Sequence, residues 1–382
     1  MKTFAAILLC VLALTVPASA SAPKGPDLSS IDRAMQRIVA QYRLDGASLW
    51  VAQNGTTLLK AHYGSYGPRT QVAIASASKW VSALVLARLI ERGALRFDST
   101  VGEWWPDAPA DKRGITLRQL FSHTSGLPGQ SECLSNELTT LQACAAQILA
   151  GRTVGAPGRV FAYGGSSMQV AGAMAERATG LGWEVLLARE LSTPLGLTGT
   201  DFGFLSAAPG TISPSNPRIA GGLRSTLDDH RKIMAMWQAD GLVREGPLAG
   251  TRYLQPATIR AMQQDSAAGT MVITVPSSLS AYPRWGYGFG FWIMASERAG
   301  GPLLESSPGA FGFQGWVDGA QGSAAVFMVR DSNQRMAPEV LALQRQLGVL
   351  LDFERRAGET LPAREAPSSR SSGPRDRRDR RQ

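Results

Sequence analysis

The tetrapeptide Ser76-Ala77-Ser78-Lys79 sets a hydroxyl and an amine three residues apart, on one face of any helix that contains them. A serine hydroxyl attacks a carbonyl only when another group takes its proton. A lysine held in low dielectric is pushed towards its neutral form, so it can be that group or can lower the pKa of one that is. The pattern alone is weak, because a chain with six lysines gives about half a match by chance. A second copy, Ser21-Ala22-Pro23-Lys24, lies near the N-terminus. Context separates the two. Between Trp80 and Ile90 only Ser82 and Arg88 are polar, so the run from Ser76 to about Arg92 reads as a helix apolar nearly all round, and therefore buried. Ser76 stands at its start, where backbone N–H groups and the helix dipole favour developing negative charge.

Tyr163 is the third candidate. It follows Pro157-Gly158 and precedes Gly164-Gly165, and two glycines after a tyrosine permit a tight turn and a close backbone approach. A phenol near a lysine can have its pKa lowered enough to act as a base. Other chemistries find no support. No Gly-x-Ser-x-Gly elbow occurs. The histidines His62, His123 and His230 show no ligand spacing with one another or with the cysteines, so no metal is expected. No phosphate-cradling glycine loop opens a helix, and no cofactor is expected.

These residues need elements to hold them. Ser30 reads as the cap of a helix running to about Tyr42, followed by strands Ala47–Gln53 and Thr56–His62 around Asn54-Gly55. An Asn-Gly pair between strand-like runs is a strong hairpin signal, since both turn residues must take positive φ. From Pro106 to about Ser280 the chain is rich in Pro, Gly and short helical runs, including Gln169–Ala178 and Asp228–Gln238. Strand texture returns in Gly288–Ala295, Phe311–Val317 and Ser323–Val329, and an amphipathic helix follows at about Pro338–Phe353. Strands at both ends with helices between them predict an antiparallel sheet covered by helices. The division is then 21–105 with 285–360 as an α/β sandwich domain, 106–284 as a helix-rich domain, and 361–382 as a disordered basic tail.

Lys2, the apolar run Phe4–Val16 and Ala18-Ser19-Ala20 read as an export signal over residues 1–20, with a mature chain from about Ser21 that is secreted or periplasmic. No other stretch is long and apolar enough to span a membrane. Cys133 and Cys144 then meet an oxidising compartment, where a disulfide is expected. On one continuous helix they would stand roughly 16 Å apart, too far to bond. Ser135 and Asn136 suggest a turn before a helix that starts near Thr139 or Thr140, which allows pairing; two free buried thiols are the alternative. The formal charge is +9, of which residues 363–382 carry +4, so the body is only mildly basic and no nucleic-acid partner is expected. The arginine-rich tail is either simply solvated or in weak contact with anionic envelope polymers.

Five motifs occur in order: Ser76-x-x-Lys79, His123-Thr124-Ser125-Gly126-Leu127, Pro157-Gly158 leading to Tyr163, Pro194-Leu195-Gly196-Leu197 and Gly221-Gly222-Leu223-Arg224-Ser225. Over about residues 28–355 the chain resembles the class C β-lactamase-related serine hydrolases, which include penicillin-binding-protein-like esterases, D-stereospecific peptidases and amidases. The resemblance implies a β-lactamase/transpeptidase-like fold, α/β plus α, with the site between a sheet domain and an inserted helical domain. It implies Ser76 as nucleophile, Lys79 as its partner and Tyr163 as general base. The family's Lys- or His-Thr-Gly motif is replaced by Ser307-Pro308-Gly309, and Ala310 would complete an oxyanion hole with Ser76 through their backbone N–H groups.

Two departures shape the substrate reading. Ser307 lacks a cation for a substrate carboxylate, and Gly165 stands where the family has an asparagine, so a β-lactam or peptide would lose two contacts. Small or apolar esters need neither. Gly165, Ser307, Gly309, Phe311 and Trp316 are the candidate substrate-binding residues, with Phe311 and Trp316 either lining an acyl pocket or packing in the core. His123 reads as a structural turn residue. The expected activity is ester hydrolysis through an acyl-enzyme on Ser76, on a small-molecule ester or amide. The alternatives are a β-lactamase or D-amino-acid peptidase of the same family, and a catalytically weak envelope-binding protein.

Overall fold

The computed structural model describes residues 26–136, 138–203, 215–282, 284–295 and 303–358. Residues 1–20, read above as an export signal, and 361–382, read as a basic tail, lie outside them. Seven strands form one antiparallel sheet in the order β2-β1-β11-β10-β9-β8-β7. They are β1 (Gly46–Gln53), β2 (Thr56–Gly64), β7 (Trp285–Tyr287), β8 (Trp292–Ala295), β9 (Leu303–Ser306), β10 (Gln314–Asp318) and β11 (Ser323–Met328). Strands from the two ends of the chain meet where β1 pairs with β11, Leu49 opposite Phe327. Two short pairs lie outside this sheet: β3 (Gln71–Ala73) with β5 (Arg224–Thr226), and β4 (Val160–Ala162) with β6 (Met271–Thr274).

The β1–β2 hairpin follows from its turn chemistry, with φ 49° at Asn54 and φ 80° at Gly55. Along β11, Ala324, Val326 and Met328 join the core on the side of the central helices, and Ala325 and Phe327 join a second core beneath α1 (Ser29–Tyr42) and the helix Asn333–Gly358. A strand covered on both faces reads as a continuous apolar run, which is how β11 is spelled. Behind the site lies α2 (Ser78–Glu91), in which Val81, Ala83, Leu84, Val85, Leu86 and Ala87 are fully buried. Trp80 stacks on Phe291 at 4.8 Å and meets the edge of Trp237 at 5.1 Å.

Several boundaries differ from the sequence reading for local reasons. Leu28, not Ser30, precedes the first helix, and no side chain caps it. The strand expected at Gly288–Ala295 shortens to β8 because Gly290 takes φ 95°. The strand expected at Phe311–Val317 starts only at Gln314, since Gly309 N–H bonds back to Phe313 O and Gly312 takes φ 83°. The helix expected to start near Thr139 or Thr140 begins at Leu141, with Thr140 capping it by accepting from Ala143 N–H.

Gly290 brings the β7–β8 turn against α2. A Cβ there would lie 2.7 Å from Ala83 Cβ and 2.9 Å from the Lys79 carbonyl oxygen, at a φ that L side chains avoid. Gly290→Ala should therefore destabilise the chain by at least about 2 kcal/mol in urea unfolding. An unchanged midpoint would show that this turn is not what spaces the sheet from α2.

Candidate active site

Ser76 lies in a single 3-10 turn, Ala75–Ala77, that runs directly into α2. Ala75 takes φ 45°, a left-handed conformation that costs a non-glycine residue energy and is held by its surroundings. The bend leaves Ser76 partly exposed while Ile74, Ala75, Ala77 and Ser78 are buried. Around it lies a cavity of about 240 Å³, lined among others by Lys79, Tyr163, Gly165 and Phe311.

The Lys79 side chain is buried, at 3% exposure. Its Nζ donates to Ser76 Oγ at 3.0 Å and to the Ala220 carbonyl at 2.9 Å, and it lies 4.6 Å from the centre of the Tyr163 ring. Among the described residues no carboxylate pairs with it. Burial alone brings the amine down to about 7.

Tyr163 opens partly to the cavity, with its ring packed against His123 at 4.6 Å and Trp292 at 5.1 Å. The dry surroundings push its phenol up to about 12, against hydrogen bonds from Ser76 and the Trp292 indole N–H that favour the phenolate. The expected phenol of lowered pKa is thus corrected. A lysine that is itself dried out offers little charge to stabilise a phenolate, so it is the lysine whose pKa falls near neutrality. His123 is also dry: burial, then the charge of Lys79, holds its imidazole well below the ordinary range. Its Nε2 pairs with Tyr287 Oη at 3.2 Å, and its φ of 61° makes the turn that lets its carbonyl receive Ala162 N–H. It supports Tyr163 and does not reach Ser76 by any described hydrogen bond.

The other sequence candidates separate. Gly165 and Phe311 line the cavity; a Cβ at Gly165 would lie 3.0 Å from Leu134 Cδ1, so leucine fills the space beside it. Ser307 does not face substrate. It is buried and its hydroxyl donates to the Ser76 carbonyl at 2.8 Å, bracing the nucleophile's turn. Gly309 packs by backbone on Ile74, where a Cβ would lie 2.2 Å from the carbonyl oxygen. Trp316 takes the second of its two readings, core packing in place of an acyl pocket: it belongs to the core under α1 and the helix Asn333–Gly358, while its neighbour Val317 points to the other face. Cys133 and Cys144 are joined, Cys133 on the turn Glu132–Ser135 and Cys144 on the helix Leu141–Ala150.

Sequence reasoning missed three participants. Trp292 reaches Tyr163 only because β8 sits at that place in the sheet. The Ala220 carbonyl and Arg218, also at the cavity, come from the segment just before the Gly221-Gly222 motif. That segment is tied to the nucleophile's helix: Ser82 Oγ donates to Ile219 O, Leu223 N–H to Ser78 Oγ, and Ile74 N–H to Leu223 O.

Comparison with known proteins gives the context. The family model described as Beta-lactamase matches residues 31–348. Protein flp of Staphylococcus aureus strain N315 is 24% identical over 187 residues, a match covering 45% of this chain and 38% of that protein, so this chain spans under two fifths of its length. Esterase EstB of Burkholderia gladioli is 23% identical over 368 residues, covering 82% of this chain and 93% of EstB. A solved structure of a candidate beta-lactamase from Bacteroides dorei DSM 17855 superimposes with a TM-score of 0.74 at 29% identity, over 86% of this chain and 99% of that one.

Lys79 can accept the Ser76 proton only as a free amine. The rate at which a fluorophosphonate modifies Ser76 should therefore rise with pH and level off above about 7. Lys79→Met should flatten the profile and slow labelling by about 100-fold or more. An inflection near the ordinary lysine value would show that Lys79 is not the group being titrated.

Proposed function

The chain belongs to the beta-lactamase family, and we propose that within it the chain is a serine hydrolase that cleaves small esters through an acyl-enzyme on Ser76. The observation that carries this reading is the 3.0 Å contact between Ser76 Oγ and an amine that burial brings down to about 7. In acylation the Lys79 amine takes the Ser76 proton as Oγ bonds to the carbonyl carbon. The alkoxide then leaves with that proton as the C–O bond breaks. In the second half water attacks the acyl carbon, Lys79 takes its proton, and the proton returns to Ser76 Oγ as the acyl–serine bond breaks. Tyr163 stays a phenol throughout: once the Ser76 hydroxyl turns its proton to Lys79, the phenol O–H can donate to Oγ and hold it in line, its own position fixed by Trp292 and His123. The role passes from general base to positioning group because its pKa lies so far above neutrality.

Two N–H groups suit the oxyanion. Neither Ser76 nor Ala310 donates its backbone N–H to another described backbone group, and the contacts of Ser307 and Gly309 bring that segment to the nucleophile's turn. Preorganised donors of this kind are worth about 10²–10³ in rate each. The preference for esters rests on what positions 165 and 307 lack. Gly165 presents no amide, and Ser307 is spent on the Ser76 carbonyl, so neither position can supply the contact that would grip a peptide or lactam there. The similarity to EstB over most of both chains supports the same reading. Export completes the proposal: the leader reading of residues 1–20 agrees with a disulfide at Cys133–Cys144, since such bonds persist in oxidising compartments.

Ser76→Ala should abolish both turnover of short-chain aryl esters and covalent labelling by a fluorophosphonate. On wild type, penicillins and cephalosporins should be turned over far more slowly than those esters. Labelling of the variant at the wild-type rate would remove Ser76 as nucleophile, and efficient β-lactam turnover would overturn the substrate assignment drawn from positions 165 and 307.

A further inference from the structure

Of the thirteen residues lining the cavity, two are basic, Lys79 and Arg218, and none is acidic. Burial leaves Lys79 only partly protonated at neutral pH, and Arg218 supplies the guanidinium of this cavity. Its Nε donates to the Leu134 carbonyl at 2.7 Å, which fixes the plane of the guanidinium. Its two terminal nitrogens have no hydrogen-bond or ion-pair partner among the described residues. The side chain is half-buried, so water screens it less than a surface arginine.

Its mounting is rigid at both ends. The Arg218 carbonyl receives the N–H groups of Gly221 and Gly222, closing a tight turn. Leu134, its side-chain anchor, lies on the turn that the Cys133–Cys144 bond ties down. Asn216 adds a second tie, donating to the Cys133 carbonyl at 2.8 Å, and Gln169 holds Asn216 Oδ1 and the Pro217 carbonyl. A guanidinium already held in place loses little freedom when it pairs, and its fork matches a carboxylate.

We propose that Arg218 is a specificity-determining anion anchor, and that the preferred substrate is an ester carrying a carboxylate on its acyl or its alcohol part. This deepens the esterase reading and rests on it. The cation absent at Ser307 is thereby supplied from another wall, on the segment whose Ala220 carbonyl also holds Lys79. An anionic group gripped from this wall selects a different family of substrates from one gripped at position 307.

Matched ester pairs test this. One pair varies the acyl part, mono-4-nitrophenyl adipate against its methyl ester; the other varies the alcohol, 4-acetoxybenzoate against its methyl ester. In wild type at least one pair should favour the anion in kcat/KM by about tenfold or more, the size of a charge-assisted contact. That preference should shrink as salt is raised. Arg218→Met should bring the ratio to near one, and Arg218→Lys should keep part of it, because the charge stays while the fork is lost. No preference in either wild-type pair, with the neutral esters still cleaved, overturns the anchor and leaves the esterase reading standing. A uniform loss on both members of a pair in Arg218→Met, with the ratio kept, makes Arg218 a structural residue and also overturns it. If wild type cleaves none of the four esters, the underlying reading falls and the anchor with it.

Discussion

A lysine amine buried without a carboxylate is the constraint on which the rest of this site turns. Two neutral oxygens receive Nζ, Ser76 Oγ and the Ala220 carbonyl. Neither offers the charge that would keep the amine protonated, so burial decides the outcome and the pKa falls to about 7. On the proposed mechanism, that fall is what would make a base out of a residue that is ordinarily an acid at neutral pH. It also assigns roles to the neighbours. A carboxylate nearby would restore the ammonium and remove the base, and the cavity wall holds none. A second titrating group would divide the proton's path, and both Tyr163 and His123 are dried into their neutral forms.

Keeping that amine dry accounts for features that look unrelated along the chain. α2 is apolar on every side because sheet, helices and the 218–223 segment all close on it. The segment is fastened by hydrogen bonds from Ser82 and to Ser78, and by Ile74, on either side of Lys79. Gly290 allows the β7–β8 turn to press on the Lys79 carbonyl itself. Ser76 is the exception. The left-handed Ala75 and the brace from Ser307 hold it out of the packed interior, so that one reactive oxygen faces the cavity while its base stays beneath it. Strain at Ala75 is thus the local cost of separating a wet nucleophile from a dry base.

How far the sequence shows this depends on range. The Ser76–Lys79 spacing, the Asn54-Gly55 hairpin and the helix start near Thr140 are set by neighbours in the chain, and each is legible there. The antiparallel sheet with strands from both chain ends is legible too, because strand-like runs sit at both ends of the chain with turn signals between them. Trp316 is not: β10 is buried on both faces, and period-two alternation cannot say which core a tryptophan joins when both exist. Ser307 fails for another reason. Its motif position was visible, but the rotation that turns its hydroxyl to the Ser76 carbonyl is a tertiary fact. With Tyr163, proximity to a lysine argues for a lowered pKa and burial argues for a raised one. Only the packing shows that burial acts on both residues at once, moving the amine down and the phenol up.

The same burial couples chemistry to folding. In the unfolded chain Lys79 has the ordinary lysine value, about 10.4, while in the folded chain it lies near 7. Between those two values the unfolded state holds the extra proton, so this group's contribution to stability improves as pH rises through the window. Below about 7 the cost of the dry site is carried in full, because a proton must be lost or buried for the chain to fold. The site is therefore a debt against the two cores rather than a contributor to them, and the apolar packing of α2 is what offsets it. The elements that complete the enclosure come last in the chain: β8 brings Trp292 to Tyr163, and the turn after β9 brings Ser307 to Ser76. Until β1 finds β11, some 275 residues away, those pieces have no fixed place to stand. A chain paired only locally would have the serine and the lysine but a solvated amine, protonated and useless as a base. On the proposed mechanism, reactivity would be a property of the closed sheet, read out at one nitrogen atom.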